Sequence, residues 1–199
     1  MSDKITSNAT PFWENGHYYS MSEEKKEWYD ARSATQSTVF NGLYGYLATI
    51  TDSEENSFIY NYSNGGKKID KNAYLGGTDL EGTSEGKWTW ADGVEKGNKI
   101  STGYELEGGY SKWHSGEPNN SHNEDFLHMW SDSGTWNDID PAGKNYDKHI
   151  RSFITEWGQS GAEYEVKIAD KGKGLNKNGV ENLSLIHILR CRRFELCIY

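Results

Sequence analysis

The spacing of apolar and polar positions changes several times along the chain, and each change predicts an element. After a polar lead-in over residues 1–11, aromatics gather around the Asn15-Gly16 turn pair, and His17-Tyr18-Tyr19 reads as a short strand. Ser20 with Glu23 fits a capping box and predicts a helix to about Ala34, with Trp28, Ala31 and Ala34 at helical spacing. Tyr46 to Ile50 reads as the next strand. Thr51 with Glu54, or Asp52 with Glu55, then opens a second helix bearing Phe58, Ile59 and Tyr62, which Gly65 and Gly66 end.

The second half is richer in strands. Ala73 to Asp79 predicts a strand running into a Gly-rich loop, and Trp88 and Trp90 point to one strand face, where they should be core. Residues 93–111 read as a long Gly- and charge-rich loop that needs support from outside itself. Phe126 to Trp130 alternates, as do Phe153, Thr155 and Trp157. Two early helices, several short later strands and long loops predict an α+β fold.

At Gly158 the composition shifts, so the domain is read as 12–158, with 159–182 a linker or the start of a further module. Residues 183–199 begin Leu-Ser-Leu-Ile-His-Ile and continue into Arg-Cys-Arg-Arg. They resemble the translation of a transposase adapter used in DNA library preparation. They are set aside as a non-native tail, an expectation that resequencing the native locus would test.

Composition sharpens this picture in three places. Only 34% of the 199 residues are hydrophobic, yet eight Trp and thirteen Tyr can supply a core, because each buried aromatic removes about 150–250 Å² from water. The net charge of −9 argues against a nucleic-acid partner, which would be met by a basic face. No apolar run approaches the roughly 20 residues of a membrane span, and Met1–Pro11 is no signal peptide, so the expectation is a sequence that lacks its true N-terminus. Both cysteines, Cys191 and Cys197, fall in the tail, which leaves residues 1–190 without a disulfide of their own.

The candidate chemistry lies in one stretch. Trp113-His114-Ser115-Gly116-Glu117-Pro118-Asn119-Asn120 is followed by Asn123-Glu124-Asp125 and then by Trp136-Asn137-Asp138. Carboxylates and carboxamides crowded on loops suit a hard cation such as Ca²⁺, which takes about 6–8 oxygen ligands in flexible geometry.

Trp-x-x-x-Glu-Pro-Asn, then Glu-Asp, then Trp-Asn-Asp resembles the calcium and sugar site of a C-type lectin-like domain of the mannose-preferring type. Gly45 to Ile50 followed by Glu54-Glu55-Asn56, and Gly76-Gly77-Thr78-Asp79 through Trp88-Thr89-Trp90-Ala91-Asp92-Gly93, resemble other signatures of that family. The resemblance covers about residues 12–158. It implies a C-type lectin-like fold, two helices packed on short antiparallel sheets with a long calcium-binding loop region, and a cis Glu117-Pro118 bond.

The same resemblance implies Glu117, Asn119, Glu124, Asn137 and Asp138 as ligands of one Ca²⁺ that also meets vicinal sugar hydroxyls. The Glu-then-Asn order goes with mannose, glucose, N-acetylglucosamine or fucose. It also implies an auxiliary cation site at Asp79, Glu85, Asn120, Glu124 and Asp125, where Asn120 replaces an expected acidic residue. The partners implied are a glycan, a cell-surface glycoprotein or a polysaccharide, and the setting is secreted or cell surface. Trp113 and Trp136 are read as core struts and His122 as a loop residue.

This chain departs from the animal family in its missing disulfides: Phe126 and Thr155 stand where cysteines are usual, as in bacterial members. The alternative to sugar binding is an adhesion module for a protein ligand, with or without Ca²⁺. Catalysis is not expected. Glu117 and Glu124 are read as ligands rather than a glycosidase pair, and the segment from His122 to His128 does not have the H-E-x-x-H spacing of a zinc hydrolase.

Overall fold

The computed structural model describes residues 9–80, 85–102, 109–140 and 151–159. The chain divides into two units, residues 1–158 and 159–199, and the elements below belong to the first. The expected linker beyond residue 159 and the tail with both cysteines lie outside the described residues.

Strand β1 (Thr10–Phe12) pairs antiparallel with β2 (His17–Met21) around the Asn15-Gly16 turn, so the sheet begins two residues inside the expected lead-in. The predicted capping box at Ser20 and Glu23 does not form. Ser20 belongs to β2 and pairs with Thr155, the ladder continues as the Ser22 amide donates to the Phe153 carbonyl at 2.8 Å, and Glu23 pairs with Lys71. A neighbouring strand supplied hydrogen bonds that the local cap had to compete with, so helix α1 starts only at Trp28 (Trp28–Gln36). Its buried face is Trp28, Ala31 and Thr35. The Trp28 indole donates to the Leu75 carbonyl at 2.9 Å and stacks on Phe126, with ring centroids 4.5 Å apart.

Strands β3 (Val39–Phe40) and β4 (Leu43–Leu47) form a hairpin. The strand predicted over Tyr46–Ile50 therefore sits earlier and ends at Leu47. Helix α2 (Ser53–Tyr62) opens as expected at Asp52, whose side chain accepts the Glu55 amide at 2.8 Å. Its buried residues are Glu55, Asn56 and Ile59, while Tyr62 is half exposed and Phe58 stacks on Phe12.

Strand β9 (Ser152–Trp157) ties the unit together. It pairs antiparallel with β2 and β4 through its C-terminal half and parallel with β5 (Ala73–Thr78) through Ser152 and Phe153. Outward from β5 come β7 (Phe126–Met129) and β8 (Trp136–Ile139), and the short β6 (Thr89–Trp90) pairs with the end of β5.

All residues of β5, β7 and β9 are buried, so the alternation expected for Phe126–Trp130 does not separate a wet face from a dry one. Two cores cover the two faces: Trp28, Ala31, Tyr74, Phe126 and Phe153 on one side, and Leu75, Trp88, Trp90, Leu127, Met129 and Trp136 on the other. A Cβ on Gly76 would stand 2.6 Å from the Leu47 carbonyl oxygen, so only glycine admits this approach of β4 to β5.

Candidate functional site

The site is built where β7 and β8 leave the sheet. Its loop, residues 112–125, is held to β8 by three backbone bonds. His114 donates its amide to the Trp136 carbonyl at 2.8 Å, Trp136 returns one to Lys112 at 2.8 Å, and Asp125 donates to Ile139 at 3.2 Å. Trp136 is fully buried, with its indole on the Asn56 carboxamide at 2.8 Å and its ring edge-on to Trp90 and Trp113. Trp113 packs on Trp88 and donates to the Ser101 carbonyl at 2.8 Å, which anchors the end of the long loop. Both tryptophans are struts beneath the loops.

The loop above them has a cis Glu117-Pro118 peptide and left-handed backbone at Asn120, His122 and Asn123. Asn119 and Asn120 donate their amides to the two carboxylate oxygens of Asp138, at 3.2 and 2.7 Å. The Asn119 carboxamide donates to Glu117 Oε2 at 2.5 Å and accepts the Ser121 amide at 2.8 Å, while Ser121 also donates to Glu124 Oε2 at 3.1 Å. The Asn137 carboxamide abuts the Asp138 backbone carbonyl. The structure thus links Glu117, Asn119, Glu124 and Asp138 in one network between a single loop and strand β8, with Asn137 beside Asp138 on that strand.

Negative charge is concentrated here. Burial and then the Asp138 charge push the Glu124 carboxyl up to about 7, and burial followed by contact with Asp138 raises Glu117. A positive charge among these groups would reverse both shifts.

A second carboxylate group lies beside the first. Asp79 follows β5, Glu85 lies on the next loop and Asp125 precedes β7; their carboxylate oxygens lie within 4.8 Å of one another. Asp79 accepts the Gly86 amide at 2.9 Å and Asp125 accepts the Asn123 carboxamide at 3.0 Å, each through Oδ2. Among the described residues, Oδ1 of both aspartates is buried with no hydrogen-bond partner. A buried carboxylate oxygen without a donor is costly, and burial raises both carboxyls above the usual range, with Asp79 adding to the rise on Asp125. Hard oxygen donors with two unsatisfied lone-pair sites fit a calcium ion. Of the five residues expected in this group, Asn120 bonds to Glu85 and Glu124 instead of presenting a free oxygen.

Sequence reasoning missed a third polar cluster, in the core between α2, β2 and β9. His17 Nδ1 lies 2.5 Å from Glu156 Oε1, and the Tyr19 hydroxyl donates to Glu55 Oε1 at 2.5 Å. Tyr46 donates to Glu156 at 3.0 Å, and Thr49 and Thr51 donate backbone and hydroxyl groups to Glu156 and Glu55 respectively. The available signal was Glu156 itself, a lone carboxylate in the otherwise uncharged run Phe153-Ile154-Thr155-Glu156-Trp157. His128 is also buried, with both ring nitrogens unpartnered among the described residues, while His114 and His122 are exposed; the three do not converge.

Comparison with known proteins bears on what such a site does. A perlucin-like protein of Mytilus galloprovincialis is 38% identical over 122 residues, which cover 61% of this chain and 67% of that protein. Halomucin of Haloquadratum walsbyi is 33% identical over 180 residues, 88% of this chain but 2% of that far longer protein. The C-type carbohydrate-recognition domain of cow CD23, solved in the presence of a GlcNAc2Man3 oligosaccharide, shares the fold. It has a TM-score of 0.53 and 23% identity, and the match covers 80% of this chain and 99% of that one. The family model for the lectin C-type domain matches residues 24–146. With that match over most of the chain, this protein belongs to the C-type lectin domain family, whose members bind carbohydrate and are not enzymes.

Proposed function

We propose that residues 12–158 form a calcium-dependent carbohydrate-binding module for mannose, glucose, N-acetylglucosamine or fucose. Glu117, Asn119, Glu124, Asn137 and Asp138 would hold the sugar-side cation, and Asp79, Glu85 and Asp125 a second one. The observation that carries the calcium reading is the pair of buried, unpartnered oxygens on Asp79 and Asp125, beside a second group whose donors are also oxygens. When bound, Ca²⁺ supplies a positive centre with coordination positions left for two vicinal hydroxyls.

The chain's own residues supply the rest. Glu117 offers an acceptor and the Asn119 carboxamide a donor, side by side, so a sugar hydroxyl would donate to a Glu and accept from an Asn amide. Asp138 fixes the loop that carries both by accepting two of its backbone amides. The glycan would be carried by a glycoprotein or polysaccharide, and the module would work secreted or at a cell surface. A single shallow site of this kind binds a monosaccharide weakly, so avidity would come from repeated sites.

The test is retention of the chain on immobilised mannose in Ca²⁺, with elution by EDTA. Retention should vanish with EDTA and with Asn119→Asp, which replaces the donor by an acceptor. Asp79→Asn should shrink the Ca²⁺-induced rise in melting temperature. Absence of both retention and any Ca²⁺-induced rise would refute the reading. A rise without retention would turn it toward another glycan or the adhesion alternative.

A further inference from the structure

We propose that Asn56, on helix α2, is a positioning residue for the binding site: it fixes where strand β8 sets Asn137 and Asp138, while its own side chain bonds to neither carboxylate group. This rests on the calcium and sugar reading above. Asn56 is buried, and both halves of its carboxamide are committed. The oxygen accepts the Trp136 indole N–H at 2.8 Å, and the nitrogen donates to the Gly134 carbonyl at 3.1 Å. An indole can only donate and a carbonyl can only accept, so the orientation of the carboxamide is forced. About one helical turn further on, the Tyr60 hydroxyl donates to the Asp132 carbonyl at 2.6 Å. Helix α2 thus grips the turn between β7 and β8 at residues 132, 134 and 136.

Strand β8 needs such an outside hold. Side chains alternate along a strand, so Trp136 and Asp138 share one face, and Asn137 and Ile139 the other. Each face carries one apolar and one polar residue, with Trp136 in one core and Ile139 in the other. A slip of one residue reverses every side chain, and the apolar pattern of β8 does not oppose it as a strand with one apolar face would. The bonds of Asn56 do oppose it. A slip would carry Trp136 off its acceptor and leave the indole N–H and the carboxamide buried without partners. The two residues after Trp136 matter for the site. Asp138 accepts the Asn119 and Asn120 amides, and the Trp136 backbone holds the same loop through His114 and Lys112. Asn56 sets β8, and β8 sets the loop.

The test variant is Asn56→Leu, which keeps the bulk and removes both hydrogen-bonding groups. Two readings are taken well below the melting temperature. One is the Ca²⁺ concentration for half-maximal retention on immobilised mannose; the other is the backbone amide resonances of Asn137 and Asp138 without Ca²⁺. Asn56→Leu should raise the Ca²⁺ requirement about 10-fold and move both resonances. Gly45→Ala controls for simple loss of stability, because its new methyl meets Thr35, Thr38 and Thr155 and not the site; it should leave both readings unchanged. In a Trp136→Phe background, where the indole donor is already gone, Asn56→Leu should act far less. If Asn56→Leu does not fold, Asn56→Ser takes its place with the same expected shifts, since it leaves room for water at the freed groups.

An unchanged Ca²⁺ requirement would overturn the proposal, even if the resonances move, because Asn56 would then serve stability alone. An equal shift in Gly45→Ala, or an equal effect in both Trp136 backgrounds, would overturn it as well. If the unaltered chain shows no Ca²⁺-dependent retention, the calcium and sugar reading itself fails, which is a separate result. The hold of Asn56 on β8 is then decided by the two resonances, and their staying in place would overturn it.

Discussion

Replacing Glu55 by glutamine should flatten the pH dependence of folding stability between about pH 4.5 and pH 8. Glu55 is almost completely buried, and its carboxyl is pushed up to about 8, chiefly by burial and then by the nearby Glu156. The titratable groups facing it from the surrounding elements are Tyr19 and His17 on β2, Tyr46 on β4 and Glu156 on β9. In the open chain Glu55 would ionise near 4.5. The folded state therefore keeps a proton that the unfolded state releases across this window. The contribution is fully present below about pH 4.5, shrinks as pH rises and is gone above about pH 8. Holding the carboxyl at about 8 corresponds to on the order of 5 kcal/mol across the whole window.

The assay is urea unfolding followed by tryptophan fluorescence at half-unit steps from pH 4.5 to 9, in EDTA. Both chains carry the same distant titrating groups, including Glu117 and Glu124, so the difference between them reports Glu55 together with the buried groups that feel its charge. The unaltered chain should lose stability relative to Glu55→Gln by several kcal/mol as pH rises. Identical slopes for the two chains, or a slope of opposite sign, would refute the reasoning.

Three further outcomes follow from particular contacts. His128 is buried and held down to about 3 by burial and by Arg151, so acid below about pH 6.5 should destabilise the chain progressively. His128→Phe should reduce that acid loss, as read from midpoints of chemical unfolding at pH 7 and pH 4.5. Trp28→Phe removes the donor to the buried Leu75 carbonyl and should cost about 1–3 kcal/mol in the same assay. Gly45→Ala would set a methyl 2.3 Å from Thr38 Oγ1 and 2.7 Å from the Thr35 carbonyl. That overpacking should cost about 1–3 kcal/mol, read as a lower melting temperature; an unchanged value would show that α1 shifts freely against β4.

The sequence by itself determined what depends on neighbours in the chain. The Asp52 cap and helix α2 follow from a short-range hydrogen bond, and the burial of Trp88, Trp90 and Trp136 follows from their size and apolar surface. The stretch from Trp113 to Asp138 displayed the residue types a cation site needs, because the loop that holds most of them is nearly continuous. Only the tertiary structure decided the rest. Helix α1 begins at Trp28 because β9, more than a hundred residues away, offers β2 a ladder that outlasts the local capping signal at Ser20. Strands β5 and β7 are dry on both faces because two separate cores close over them. Glu55, Glu156 and His17 meet only when three elements dock, and Asn120 meets Glu85 and Asp138 only across the folded loops. Each of these outcomes depends on hydrogen-bond partners and burial supplied by distant segments, which no local pattern encodes.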